Sequence, residues 1–266
     1  MPMELTDTQF ERYARHLILD EVGEEGQEAL LAAKVLVVGA GGLGSPLLLY
    51  LAAAGVGTLG IVDDDLVTLT NLQRQVVHVT ASIGTAKVMS AANTIRRLNP
   101  DVRVVTHNAR LTSANATKLI SAYDIVADGS DNFATRYLLN DATQLAGKIL
   151  VSAALLRFEG QLFTFKPDSV GPCYRCVFAE PPPPDLVPRC EQAGIFGALC
   201  GVMGSLQATE VLKELVGIDD SLAGHMLLYD ALGSTFRKIK LKRDPDCKLC
   251  GNNPAITDLS VHNVIS

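Results

Sequence analysis

Gly39, Gly41 and Gly44 stand in the segment GAGGLGS, Gly39 to Ser45, between two strongly patterned stretches. Lys34 to Gly39 (KVLVVG) reads as a buried strand, and Leu43 to Ala54 as the helix that follows it. In a G-x-G-x-x-G spacing the first glycine allows a tight turn and the second lets backbone approach a phosphate. The third lets helix and strand pack closely. The helix N-terminus then offers free N–H groups to an anion. Such a unit confines the chain to a parallel sheet with crossover helices and makes a nucleotide the candidate ligand.

Strand and helix signals go on alternating. Gly57 to Asp63, Val102 to Thr106, Asp124 to Asp128 and Ile149 to Ala153 read as strands. Gly84 to Leu98, ending before Asn99-Pro100, Thr112 to Ile120 and Asp131 to Ala146 read as helices. After Ala154 the pattern changes. Phe158 to Phe165 alternates apolar and polar residues around Glu159-Gly160, which suggests antiparallel pairing. Ala179 to Arg189 holds five prolines and is expected to be an exposed, extended loop. Ile195 to Val216 reads as a helix, Met226 to Tyr229 and Ser234 to Leu241 as strands. The polar tail beyond Gly251 is expected to be loosely attached. The expected fold is therefore α/β. It is a Rossmann-like, mostly parallel sheet with helices on both faces, extended by antiparallel C-terminal strands.

Composition narrows the partners. Hydrophobic residues make up 48% and charged residues 20%, as in ordinary globular proteins, and the formal net charge is −6. No global attraction to nucleic acid or to an anionic membrane follows from that balance. The N-terminal segment mixes acids and bases without an apolar core, unlike a secretory signal, and no apolar run is long enough to span a bilayer. Cytoplasmic location is expected, with no nucleic-acid or membrane partner. There, paired cysteines more often hold metal than form disulfides.

A cluster of acid, amide and base follows the glycine turn. Asp63 ends the second strand 19 residues after Gly44, where a carboxylate usually accepts hydrogen bonds from ribose. Asp64 and Asp65 read as ordinary turn acids. Thr70 to Gln75 (TNLQRQ) supplies Asn71, Arg74 and Gln75, and Lys87 falls in the first turn of a helix. A cation opposes the helix dipole there unless an anion lies nearby. Hydride transfer has no use for Arg and Lys converging on cofactor phosphates. Attack on a phosphate does, because charge builds on the phosphoryl oxygens. Asp131 (GSDNFATR) sits at the fourth strand's carboxyl end, where it could cap its helix, hold magnesium, or do both.

Cys173, Cys176, Cys247 and Cys250 form two Cys-x-x-Cys pairs, enough for one closed tetrahedral zinc site of structural type. Cys200 lies in an apolar stretch (IFGALCGVMG) and reads as a buried thiol. Cys190, in VPRCEQAG beside Arg189, is a candidate reactive thiol. The five histidines lack ligand spacing and read as structural or solvated.

Taken together, RYARH, GAGGLGS, NLQRQVVH, Lys87, SDN, EGQ, PCYRC, GSLQATE and the final cysteine pair resemble the MoeB/ThiF/HesA family of bacterial relatives of ubiquitin-activating enzymes. The resemblance covers nearly the whole chain. It implies an ATP-dependent adenylyltransferase acting on the C-terminal Gly-Gly carboxylate of a ubiquitin-like sulfur-carrier protein, in molybdopterin or thiamine biosynthesis. The products would be an acyl adenylate and pyrophosphate. By the same resemblance ATP is contacted by Gly42, by Asp63 through its ribose, by the segment Thr70, Asn71, Leu72, Gln73 and Arg74, and by Asn132. Arg74 and Lys87 stabilise phosphate charge, Asp131 binds magnesium, and Arg15 reaches across a homodimer. Cys190 matches a crossover-loop cysteine that in some members links covalently to the carrier. Because this sequence ends sixteen residues after Cys250, the sulfur donor is expected in trans. The expected layout is a single domain: N-terminal helices over 1–33, a nucleotide-binding half over 34–155, a carrier-binding and zinc half over 156–250, and a tail over 251–266.

Three other readings compete. A HesA-like enzyme could serve another carrier or tRNA, though the negative charge speaks against tRNA. An NAD-dependent oxidoreductase accounts for Gly39 to Asp63 but leaves Arg74, Lys87 and Asp131 without work. A non-catalytic carrier-binding scaffold would not need the charged set.

Overall fold

The computed structural model describes residues 5–167, 171–182 and 194–263. Within them a single eight-stranded sheet runs in the order β3-β2-β1-β4-β5-β6-β7-β8. Its strands are β1 (Lys34–Val38), β2 (Thr58–Val62), β3 (Arg103–His107), β4 (Ile125–Asp128), β5 (Ile149–Leu156), β6 (Glu159–Phe165), β7 (His225–Asp230) and β8 (Thr235–Lys240). The first five pair in parallel, and β5 through β8 pair antiparallel. The change from the expected pattern at Ala154 thus falls inside β5, which runs on to Leu156.

The parallel strands are apolar without interruption because both of their faces are covered. Along β1, Val35 and Val37 point into one core and Leu36 and Val38 into the other. The helices are α1 (Asp7–Leu17), α2 (Gly23–Ala32), α3 (Gly44–Ala53), α4 (Lys87–Leu98), α5 (Ser113–Ser121), α6 (Phe133–Leu145), α7 (Tyr174–Val177) and α8 (Gly197–Val216). Residues of α3, α4 and α8 fill the first core, and residues of α5 and α6 fill the second. Strand order reverses between β1 and β4, so a crevice opens beyond their carboxyl ends, where ligands bind in open sheets of this kind. No helix among the described residues is long and apolar enough to cross a membrane.

Three expectations need correction. Helix α4 begins at Lys87, not Gly84, because Gly84 has φ +85° and its N–H donates to the carbonyl of the distant Val67. The cap of α6 is Asn132, not Asp131. Asn132 has extended backbone and its Oδ1 accepts from Thr135 N–H at 2.9 Å, whereas Asp131 is exposed and stands outside the cap. The segment after Gly251 is firmly docked as far as Asn263. Ile256 packs with Cys173 and Cys247, Leu259 joins the second core, and His262 Nε2 meets Asp141 Oδ2 at 2.7 Å. Most of the prolines expected in an exposed loop lie outside the described residues.

Asp141 is fully buried and accepts both arms of Arg175, Nε and Nη2, at 2.7 Å each. Burial by itself raises its carboxyl pKa, but the bonds from His262, Arg175 and Asn140 more than offset this and hold it below the usual range. Arg175 also lies over the Tyr137 ring, 4.9 Å from its centroid. Removing one member of a buried pair strands the other charge. Asp141→Ala is therefore expected to lower unfolding stability in urea by about 3–5 kcal/mol, and His262→Ala by less, because Asp141 keeps Arg175.

Candidate active site

The turn after β1 is built by close contacts that only glycine permits. Gly39 takes φ +95°, and a Cβ on Gly44 would collide with the Gly39 carbonyl, so α3 starts hard against the turn. The Ala40 peptide groups are held from two directions. Its N–H donates to Asp63 Oδ2 at 2.8 Å, and Asp63 Oδ1 accepts from Asp65 N–H at 2.9 Å. Its carbonyl accepts from His78 Nε2 at 2.9 Å, and His78 Nδ1 meets Ser90 Oγ at 2.9 Å. A carbonyl can only accept, so Nε2 carries the ring proton and Nδ1 accepts from the Ser90 hydroxyl. Burial lowers the pKa of His78 and keeps it neutral, with Lys87 acting in the same direction against the Ala40 contact. Burial pushes the Asp63 carboxyl up, opposed by Lys87 and the two N–H donors.

Cations gather at this turn. Lys87 is the first residue of α4 and is buried, not a solvated surface lysine. Its Nζ pairs with Asp65 Oδ2 at 2.7 Å, which supplies the anion its place in the helix calls for. Asp65 is thus more than a turn acid. Its carboxylate stays 66% exposed while holding the buried ammonium. Arg74 Nη1 donates to the Thr70 carbonyl at 3.1 Å, and its Cδ lies over Gly42. The short 3₁₀ turn Leu69–Asn71 shapes this segment, with Asn71 Oδ1 accepting from Thr68 N–H and its carbonyl accepting from Arg74 and Gln75 N–H. Leu72 is half-buried, and Gln73 lies against Gly197 at the start of α8. Gln75 is buried beside Gly41. From below, Cys200 Sγ packs so tightly on Gly42 that a Cβ there would lie 2.7 Å from the sulfur.

The loop after β4 adjoins the turn, since a Cβ on Gly39 would lie 2.7 Å from the Gly129 carbonyl. Asp128, fully buried, accepts from Ser130 N–H (2.9 Å), Ser130 Oγ (2.6 Å), Ser152 Oγ (2.7 Å) and Arg136 Nε (3.3 Å). Gln207 Nε2 donates to the Asp128 carbonyl at 2.8 Å. These bonds fix the base of the loop that presents Asp131 and Asn132. Composition and spacing single out neither Asp128 nor His78, although His78 ends the segment NLQRQVVH.

Arg15 is not brought to this crevice. It is exposed on α1, whose Tyr13 packs on Gly55 and whose His16 reaches Gln27, which in turn donates to the Ala54 carbonyl. Both anchor points lie past the far end of α3, about 15 Å from the glycine turn for a helix of ten residues. Cys190 lies outside the described residues.

The four paired cysteines converge. Sγ separations are 3.9 Å for Cys173–Cys176, 3.6 Å for Cys173–Cys247 and 3.3 Å for Cys176–Cys250, and all four sulfurs lie within 4.8 Å of one another. A tetrahedron with zinc–sulfur bonds of about 2.3 Å has edges of about 3.8 Å. The set therefore fits a zinc ion and could hold one, with no position left for a substrate. Hydrogen bonds from its neighbours pull Cys250 down to about 3, and the bond to Cys176 drives Cys173 far up.

An arginine and a buried lysine at a glycine turn put this protein among nucleotide-binding α/β proteins that handle phosphate charge. The chain belongs to the ThiF family, which it matches over residues 13–249. It is 51% identical over 261 residues to the sulfur carrier protein adenylyltransferase of Thermus thermophilus, covering 97% of this chain and 96% of that one. It is 54% identical over 256 residues to the adenylyltransferase and sulfurtransferase MOCS3 of Bos taurus, covering 96% of this chain but only 56% of that protein. The solved structure of E. coli MccB with ATP shares the fold, with a TM-score of 0.79 at 20% identity over 92% of this chain and 75% of that one.

Elemental analysis of the purified protein is expected to find about one zinc per chain. Cys247→Ser should lose most of it and lower the melting temperature, because the metal ties together segments 74 residues apart.

Proposed function

We propose that this chain is an ATP-dependent adenylyltransferase that activates the C-terminal Gly-Gly carboxylate of a ubiquitin-like sulfur-carrier protein, in molybdopterin or thiamine biosynthesis. The observation that carries the reading is the placement of Arg74 and the Lys87–Asp65 pair beside the glycine turn. The names of the half-identical relatives support it. In this reaction a carboxylate oxygen attacks the α-phosphorus of ATP. The bond to the bridging oxygen breaks, and pyrophosphate leaves with the electron pair. Nucleophile and phosphate are both anionic, so the site must first relieve repulsion and then stabilise the charge that builds on the phosphoryl oxygens.

In this reading the free N–H groups of the turn bind phosphate oxygens, and Arg74 and Lys87 stabilise the developing charge. Each Asp63 oxygen uses one lone pair on a loop amide and keeps another for a ribose hydroxyl. Thr70 to Arg74 lie along the nucleotide, with Asn132 beside it. Asp131, an exposed carboxylate beside the turn, suits magnesium, which takes one or two carboxylates and completes its shell with phosphate and water. When bound, that ion would neutralise phosphate charge. Arg15, at the far end of α3, serves the partner subunit of a homodimer. The half over 156–250 receives the carrier, and its four cysteines hold structural zinc.

The test is carrier-dependent ATP–pyrophosphate exchange with a molybdopterin-type and a thiamine-type carrier, each ending in Gly-Gly. Exchange with one carrier is expected. Arg74→Ala and Lys87→Ala should each lose about 100-fold or more while melting near wild type, since Asp65 is already solvated. Unchanged exchange in both variants would refute the mechanism.

A further inference from the structure

We propose that His78 is a positioning residue for nucleotide binding, aiming the Gly41 N–H at the bound phosphates through the carbonyl of Ala40. The proposal rests on the reading that ATP occupies the glycine turn. In a trans peptide the carbonyl of one residue and the N–H of the next point in opposite directions. His78 draws the Ala40 carbonyl into the core at 2.9 Å, so the Gly41 N–H must face away from His78. Neither Gly41 nor Gly42 N–H donates to any group among the described residues, while the flanking Gly39 and Ala40 N–H groups are taken by Val62 and Asp63.

The peptide has a second orientation that the site must avoid. Gly41 has no Cβ, so the Ala40–Gly41 peptide can turn over with little steric resistance. That rotation would point the Ala40 carbonyl at the ligand, where its partial negative charge would repel phosphate. Asp63 holds only the preceding N–H and leaves this rotation open. His78 closes it, because turning the peptide over would leave a buried Nε2–H without a partner. The Ala40 carbonyl can only accept and so selects the tautomer with the proton on Nε2 by itself, while the Ser90 hydroxyl merely satisfies Nδ1. Burial reinforces the neutral form.

Isothermal titration of ATP with magnesium into the full-length protein tests this, with melting temperatures measured alongside. His78→Met removes the donor at similar volume and should weaken ATP binding about tenfold, the order expected for one mis-aimed donor to a charged oxygen. His78→Gln carries an amide N–H that can reach the Ala40 carbonyl and should restore most of the affinity. Ser90→Ala also leaves a buried polar atom unpaired but keeps the Ala40 contact. It should melt lower yet bind ATP within about twofold of wild type, a shift well below that of one charge-assisted bond. The proposal is overturned if His78→Met binds like wild type, if Gln and Met weaken binding equally, or if affinity simply follows melting temperature across the set. Absence of ATP binding by the wild type would instead remove the functional reading itself, and this proposal with it.

Discussion

The peptide groups around Ala40 are gripped from both sides, by Asp63 on the N–H and by His78 on the carbonyl. The candidate site depends on that grip. Three elements meet there: the end of β2, the segment that follows Arg74, and the first turns of α4, which bring Ser90 and Lys87. None of them lies next to the glycine turn in sequence. They are held against it because β1 and β2 are buried on both faces and cannot shift register without exposing a core. A stiff sheet thus gives a loop of small residues a definite shape, and among the described residues the Gly41 and Gly42 N–H groups of that loop have no partner.

Buried charge is handled by pairing throughout. Lys87 rests on Asp65, Arg136 on Asp128, and Arg175 on Asp141 with His262 adding a third contact. The pairs differ in what they hold. Asp65, itself mostly exposed, holds the buried Lys87 ammonium at the start of α4. Asp128 ties down the backbone and hydroxyl of Ser130 and so fixes the start of the Asp131 loop. The Asp141 group lies beside the cysteine cluster and clamps His262 to α6. An unpaired charge at any of these depths would be expelled or neutralised, so each pair also specifies which segments lie together.

Much of the architecture could be read from the chain because its signals are local. Strands covered on both faces appear as unbroken apolar runs, and the glycine spacing marks where the first of them turns. The paired cysteines are legible for a similar reason, since each hairpin's metal chemistry is written within four residues. The departures come from groups whose meaning depends on distant partners. Asp131 and Asn132 are equally good caps on paper, and only the backbone at the start of α6 selects Asn132. The tail looks polar, but Ile256, Leu259 and His262 each meet a prepared site on elements that precede them by more than a hundred residues or lie across the cysteine cluster. The position of Lys87 in the first turn of a helix calls for an anion, but only the fold shows that the anion is Asp65.

By itself, the sequence determined the α/β class, the parallel-to-antiparallel change along the sheet, the glycine turn and the four-thiolate set. These follow from periodicity and short spacings, which act over a few residues. Only tertiary structure decided which of the polar residues work together. It carried Lys87, His78 and Ser90 from one stretch of chain onto Ala40 and Asp65 from others. It also carried Arg15 to the far end of α3, away from its own glycine turn. Hydrogen bonds and ion pairs act across a few ångströms of space whatever the separation in sequence, so the geometry of the site exists only once the sheet has brought those segments together.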